Sequence, residues 1–276
     1  MHFLKVSTLG FLLLFGASKS SFSQEINFYG ARNESLARAT VALTDSWSLF
    51  YNPAGLLFHQ TKLVAGFQSK YASLGINDGA FGITFPIKET ALGFGASYFG
   101  DQLLNKSKIT GAIAHKIGKT RLGIKTAYEQ ISVKEIGSKG IFTVDIGGQI
   151  SLNEQINIGM AITNINQAKF DTLSLISSNT SIQVGVNYHP HEQLTLLAQV
   201  EKNIEYPAIL RIALEYTISK LVLIRTGVLP SPVAAFAGVG LQSSNFNLDL
   251  VGSYQQSIGW SGGLSIDVPL FTTNEK

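Results

Sequence analysis

The stretch Ser181-Ile182-Gln183-Val184-Gly185-Val186-Asn187-Tyr188 places Ile182, Val184, Val186 and Tyr188 on one side of an extended chain and Ser181, Gln183, Gly185 and Asn187 on the other. Successive side chains of a strand point to opposite faces, so one surface of this segment is apolar and the other wet. The split recurs with Phe142, Val144, Ile146 and Ile150 against Thr143, Asp145, Gln149 and Ser151. It returns with Leu194, Leu196 and Val200 against Gln193, Thr195, Gln199 and Glu201, and with Phe246, Leu248, Leu250 and Tyr254 against Asn247, Asp249 and Ser253. One such strand equally suits a half-buried soluble sheet. Repetition and aromatics decide. About fourteen such stretches follow one another from 62 to 268, and several apolar faces end in tyrosine (Tyr98, Tyr128, Tyr188, Tyr216, Tyr254), as an aromatic girdle at a membrane interface requires.

The links between them support the same reading. Short ones at 88–89, 118–119, 152–155, 190–191, 218–219 and 242–245 alternate with longer ones at 71–79, 100–106, 132–140, 165–180 and 202–207, while the last two, 229–232 and 255–261, are short. Outer-membrane barrels have tight turns on the periplasmic rim, and an even strand number returns both ends to that rim. The expected fold is therefore all-β: a closed antiparallel transmembrane β-barrel of about 14 strands over residues 61–271, with a periplasmic tail over 272–276. A closed barrel also meets the demand that no backbone polar group or sheet edge face lipid unpaired.

Composition agrees. The 276 residues are 45% hydrophobic and 14% charged, with a mean hydropathy of +0.19, apolar enough for a membrane, yet the chain beyond its first residues has no apolar run of helix-spanning length. A net charge of +3, without a Lys/Arg cluster interleaved with aromatics, points away from nucleic acid. The absence of cysteine removes disulfides, thiolate metal sites, a cysteine nucleophile and a lipid-modified cysteine. The five histidines, His2, His59, His115, His189 and His191, show no metal spacing on a helix, and no catalytic constellation or phosphate loop can be assembled. A non-enzymatic protein without cofactor or metal is expected.

Lys5, the apolar core of Leu9, Phe11, Leu12, Leu13, Leu14 and Phe15, and small Ser21 and Ser23 read as a signal peptide over 1–23, cleaved after Ser23. Export to a bacterial outer membrane is expected, with lipid as the first partner.

Residues 24–60 break the strand rule. Asn33 and Glu34 suit a helix start, Leu36, Ala37, Ala39, Thr40 and Leu43 suit its continuation, and Asp45 and Ser46 suit a stop. Asn52-Pro53-Ala54-Gly55 is a turn, with proline fixing one φ. This segment either plugs the barrel mouth or forms a lead-in outside it. Small inward residues (Gly66, Gly93, Gly95, Ala112, Ala161, Gly185) leave room for a plug.

The wet faces gather Arg121, Lys125, Glu129, Asp145, Glu201, Arg211, Glu215, Arg225, Asp249 and Asp267. A turn centred on Ile218 would set Arg211 opposite Arg225, a repulsive pair unless Glu215 or Glu201 lies between them. The expectation is a compensated cluster, acting either as a solute-selecting constriction or as a salt-bridge network that fills and stiffens the lumen.

Gly30-Ala31-Arg32, Ala42-Leu43, Asp45, Trp47, Phe50 and Asn52-Pro53-Ala54-Gly55-Leu56 together resemble the N-terminal signature of the PorV/PorQ-like outer-membrane proteins of Bacteroidetes, relatives of the FadL transporters. The chain departs from that pattern at Ser35, Ala37 and Arg38, where glycines are common. The resemblance implies a fourteen-stranded barrel with an N-terminal plug that supports type IX protein secretion by binding cargo or partner subunits. Alternatively, it implies a FadL-like channel for hydrophobic small molecules such as fatty acids.

Overall fold

The computed structural model describes residues 28–56, 59–70, 74–170, 180–256 and 259–270; the expected signal peptide and tail lie outside the described residues. Period-2 alternation becomes fourteen strands: β1 (Lys62–Lys70), β2 (Ile76–Ile87), β3 (Thr90–Gly100), β4 (Leu104–Ile117), β5 (Thr120–Val133), β6 (Gly137–Ser151), β7 (Ile156–Thr163), β8 (Ser181–His191), β9 (Leu194–Asn203), β10 (Ile209–Thr217), β11 (Val222–Leu229), β12 (Ala234–Gln242), β13 (Asn247–Gln255) and β14 (Gly259–Pro269). Each pairs antiparallel with its neighbours in sequence, and β14 closes on β1 with Gly66 opposite Ser265. No sheet edge remains open.

The two faces fall as the alternation demands. Val184 is 45% exposed and Gln183 only 6%. Phe67, Phe81, Phe94, Ile109, Leu210 and Leu264 are among the large apolar side chains exposed around the outer wall, and a soluble monomer does not expose a continuous apolar band of this kind. Tyr98, Tyr128 and Tyr254 stand outward toward one rim, and Tyr188 and Tyr216 toward the other. Two of them stack with outward neighbours, Tyr128 on Phe142 and Tyr254 on Trp260, each with ring centroids 5.0 Å apart. Val184→Arg, which puts a charge into this apolar band, should cost about 2–4 kcal/mol near mid-wall. Urea unfolding in lipid vesicles reads that loss, and an unchanged midpoint would take residue 184 off the lipid face.

Three expected loops are partly strand. β2 begins at Ile76, β4 at Leu104, and β5 and β6 run to Val133 and from Gly137, so 76–79, 104–106 and most of 132–140 belong to the wall. Polar Asn105, Lys106, Ser132, Ser138 and Lys139 mask the strand signal there, yet the ladder pairs them regardless, because a neighbouring backbone is available. Turn lengths on the two rims therefore differ less than expected, apart from 164–180. The short link expected at 190–191 is also displaced, since β8 runs through Pro190 to His191 past a register irregularity and the turn there follows His191. Where short β7 stops, the Asn166 amide stands in for a strand: its Oδ1 accepts from the Val144 N–H at 2.9 Å and its Nδ2 donates to the Phe142 carbonyl at 2.8 Å. On the same rim, Asp101 accepts from the backbone N–H groups of Leu104 and Leu103, which hold its carboxyl below the usual carboxylate range.

The expected short helix is present, but it starts before Asn33 and does not continue to Leu43. A five-residue helix α1 (Ala31–Ser35) ends at Leu36, and Ala37 and Arg38 follow with φ of 50° and 60°. These are two of the positions at which the signature commonly carries glycine. A left-handed residue with a Cβ costs roughly 1–2 kcal/mol, so surrounding contacts must hold this bend. A second short helix, α2 (Ser48–Tyr51), and a 3-10 turn, Pro53–Leu56, complete the segment.

Candidate functional site

Residues 28–56 pack against the inner face of the barrel wall. Phe28, Leu36, Leu49, Ala54 and Leu56 are wholly buried. A belt of lumen-facing glycines lets the plug backbone touch the wall. A Cβ on Gly66 would lie 2.5 Å from the Phe28 ring, one on Gly123 2.5 Å from the Pro53 carbonyl carbon, and one on Gly227 2.6 Å from the Ala37 nitrogen. Gly82, Gly93 and Gly95 meet Leu49, Gly147 meets Asn52, and Gly159 and Gly185 meet Val41. The belt therefore runs round both halves of the wall. Of these glycines, alternation flagged only Gly66, Gly93, Gly95 and Gly185; the rest occupy the same inward positions on neighbouring strands, so the signal was present.

The turn Asn52-Pro53-Ala54-Gly55 is buried and braces the plug against β4, β5 and β6. Asn52 donates through Nδ2 to the Val41 carbonyl at 2.6 Å and accepts from the Ala54 N–H at 3.1 Å. Gly55 faces the Leu43 carbonyl 2.6 Å from where its Cβ would stand.

Two kinds of surface hold the plug. Toward β1–β4, Phe28, Trp47, Leu49, Phe50 and Leu56 pack on Val64, Ala80, Ala91, Ala112 and Ala114, with Phe28 edge-on to Trp47 at 5.6 Å. Toward β9–β14 the contacts are mixed: Leu36, Ala39 and Leu43 pack on Leu197 and Ala213, Ala37 packs on Ile209, Leu229 and Ala234, and polar and charged contacts lie beside them. Arg32 bridges Glu215 at 2.8 Å and Asp45 at 3.2 Å, while Arg225 binds Glu215 and also Asp249, the latter at 2.5 Å. Asp267 accepts from Ser46 Oγ at 2.6 Å and Trp47 Nε1 at 2.7 Å, and Ser265 Oγ accepts from the Ala31 N–H at 2.9 Å. Within the plug, the Tyr51 hydroxyl donates to Asp45 at 2.8 Å. Burial pushes that hydroxyl well above the ordinary tyrosine range and the Asp45 charge pushes it further, so it stays a donor.

The predicted charges thus meet in several separate groups rather than in one cluster. Glu215, Arg225, Asp249 and Asp267 gather at the rim that carries both ends of the barrel. The expected juxtaposition of Arg211 and Arg225 does not occur, because Arg225 faces Glu215 across the ladder. The turn is centred near Lys220 rather than Ile218, and a two-residue shift of centre moves each partner by four. Arg211 instead bonds Glu201 at 2.8 Å and the Ala37 carbonyl at 3.0 Å, helping to hold the left-handed bend. Lys125 sits between Asp145 at 2.7 Å and the Phe50 carbonyl at 2.8 Å, and Glu129 takes Lys106 at 2.7 Å and Lys108 at 2.6 Å. Arg121 bonds Thr44 at 2.7 Å and Gln149 at 3.3 Å rather than a carboxylate. Arg32, Asp45, Lys106 and Lys108 were not among the expected charges, the first two because they lie on the plug and Lys106 because it fell in an expected loop.

The overall fold has solved counterparts. The chain is similar in fold to a toluene transporter. That protein, Ralstonia pickettii TbuX, superimposes with a TM-score of 0.68 at 11% identity, over 89% of this chain and 99% of the transporter. The CymD monoaromatic hydrocarbon channel superimposes with a TM-score of 0.67 at 10% identity, over 88% of this chain and 98% of the channel. No protein-family model and no curated protein matches the sequence. At such identities, the likeness to TbuX and CymD is one of fold.

Proposed function

We propose that the protein is a non-enzymatic outer-membrane channel for small apolar molecules, with residues 28–56 as its gate and both ends of the barrel in the periplasm. The observation that carries this reading is the apolar seam inside the lumen, where Trp47, Leu49 and Phe50 meet a wall of alanine and glycine on β1–β4. A general aqueous pore has no use for such a seam, since apolar surfaces parting in water cost about 25 cal/mol per Å². An apolar solute entering between plug and wall replaces the lost contacts and so lowers that cost. The fold shared with TbuX and CymD supports the same class of solute. The charged contacts on the far side keep the plug attached while the seam opens.

A cysteine pair tests this cleanly, because the chain has no cysteine of its own. A side chain at 82 would stand against Leu49, with Cβ 2.9 Å from its Cδ2. In Gram-negative cells lacking their own uptake channel, the wild type should admit labelled toluene. Leu49→Cys with Gly82→Cys should lose uptake on oxidation and regain it with reductant. Uptake unaffected by the lock, or absent from the wild type, would refute a gated apolar channel. Co-purification of secretion subunits or cargo together with no uptake would favour the type IX role instead.

A further inference from the structure

We propose that the outer surface of β4–β7 is a binding groove for one acyl chain of an anionic phospholipid, whose headgroup sits on the lysines of the adjoining rim. A closed barrel is convex outward, yet here a groove of about 540 Å³ indents the lipid face. That volume lies within the ~300–1,000 Å³ of ordinary small-molecule sites.

The indentation has a cause on each side of the wall. Inside, Gly123 and Gly147 lack the Cβ that would strike Pro53 and Asn52, so the wall is drawn against the plug's turn. Outside, Gly148 stands between Leu122 and Met160 in the ladders and leaves the floor bare. Ile124, Ile146 and Ile162 form the next row. A chain of methylenes fits such a floor, and the one side chain with a polar ring in the lining, His115, is engaged with Thr90 Oγ1 at 2.9 Å.

Charge selects the headgroup. The turn joining β4 to β5 carries Lys119, exposed, whose carbonyl accepts the Ser151 N–H at 3.1 Å and so ties the turn to β6 at the groove's mouth. Lys116 is adjacent and its side chain is 45% exposed, 3.9 Å from Glu89, and Lys88 lies on the neighbouring turn. On this arc Lys116 pairs with Glu89 at a lumen-side position opposite Arg121, which leaves exposed Lys88 and Lys119 against Glu154, two positive charges against one negative. In the periplasmic leaflet such a rim attracts an anionic headgroup rather than a zwitterionic one. The orientation rests on the proposed outer-membrane location, whereas the groove itself lies on the lipid side of the wall and is independent of what the lumen conducts. Failure of the uptake test therefore leaves this site standing, and the reverse also holds.

Native mass spectrometry of the detergent-purified full barrel, titrated with phosphatidylglycerol or phosphatidylcholine, tests it. The wild type should retain one phosphatidylglycerol in preference to phosphatidylcholine. Gly148→Leu fills the floor without crowding, since its Cβ meets nothing nearer than Leu122 at 3.8 Å, and should weaken retention about tenfold. Lys119→Glu should weaken phosphatidylglycerol roughly fivefold and leave phosphatidylcholine unchanged. Gly252→Leu, on the outer face of β13 with open space around its Cβ and away from the groove, should have no effect. Equal retention by wild type and Gly148→Leu, or an equal loss in Gly252→Leu, would overturn the site. Were Gly148→Leu not to assemble, unchanged phosphatidylglycerol retention in Lys119→Glu would do so alone.

Discussion

Arg225→Met should lower the stability of the barrel by about 3–5 kcal/mol, the cost of stranding a buried charge after removal of its partner. The Arg225 side chain is 1% exposed and bonds both Glu215 and Asp249. Around it lie two guanidinium groups, Arg32 and Arg225, and three carboxylates, Asp45, Glu215 and Asp249. Removing Arg225 leaves one cation for three anions. Glu215 keeps Arg32, but Asp249 loses its ion-pair partner among the described residues, with the plug still excluding water. Arg225→Met combined with Asp249→Leu should recover much of the loss, because taking away both partners of a buried pair costs far less than taking one. Guanidinium unfolding in vesicles measures both variants. Equal stability of wild type and Arg225→Met would show that the pair is already hydrated.

Deletion of residues 31–56 should convert a blocked lumen into a conducting one, with a large rise in single-channel conductance across a planar bilayer. Plug atoms meet the wall on the apolar β1–β4 side and on the charged β9–β14 side, and the buried turn Asn52-Pro53-Ala54-Gly55 closes the sector between. The wall should survive, because its closure depends on strand ladders that never pass through the plug. Removing the whole plug also floods Glu215, Asp249 and Asp267 with water, so the deletion avoids the penalty that Arg225→Met incurs in the dry state. Unchanged conductance would mean that the plug does not obstruct the pore.

Much of the candidate site was readable in the chain, and the unreadable part has a physical cause. The ten expected charges all face the lumen, because facing follows from parity along a single strand. Their partners were less accessible. Arg211 and Arg225 were expected to meet, but a turn centre placed two residues too early moves a partner by four positions, which replaced Glu215 with Arg211. Arg32 and Asp45 belong to a segment without strand or long helix, where no periodicity tells which side chain reaches which wall. Lys106, polar and beside a turn, read as loop, although the β3 and β5 backbones on either side pair it into the ladder.

Strand count, the apolar and wet faces of the wall, and the break in strand pattern before residue 61 could be read from the chain alone, since alternation and turn chemistry act over a few neighbouring residues. Where the segment 28–56 sits, which ions meet and why the glycines line up as a belt emerge in the folded molecule. These depend on registers between segments as far apart as Arg32 and Glu215, whose contact is 183 residues distant along the chain. Such contacts are chosen by how the closed wall and the plug fit together, and no local pattern encodes that fit.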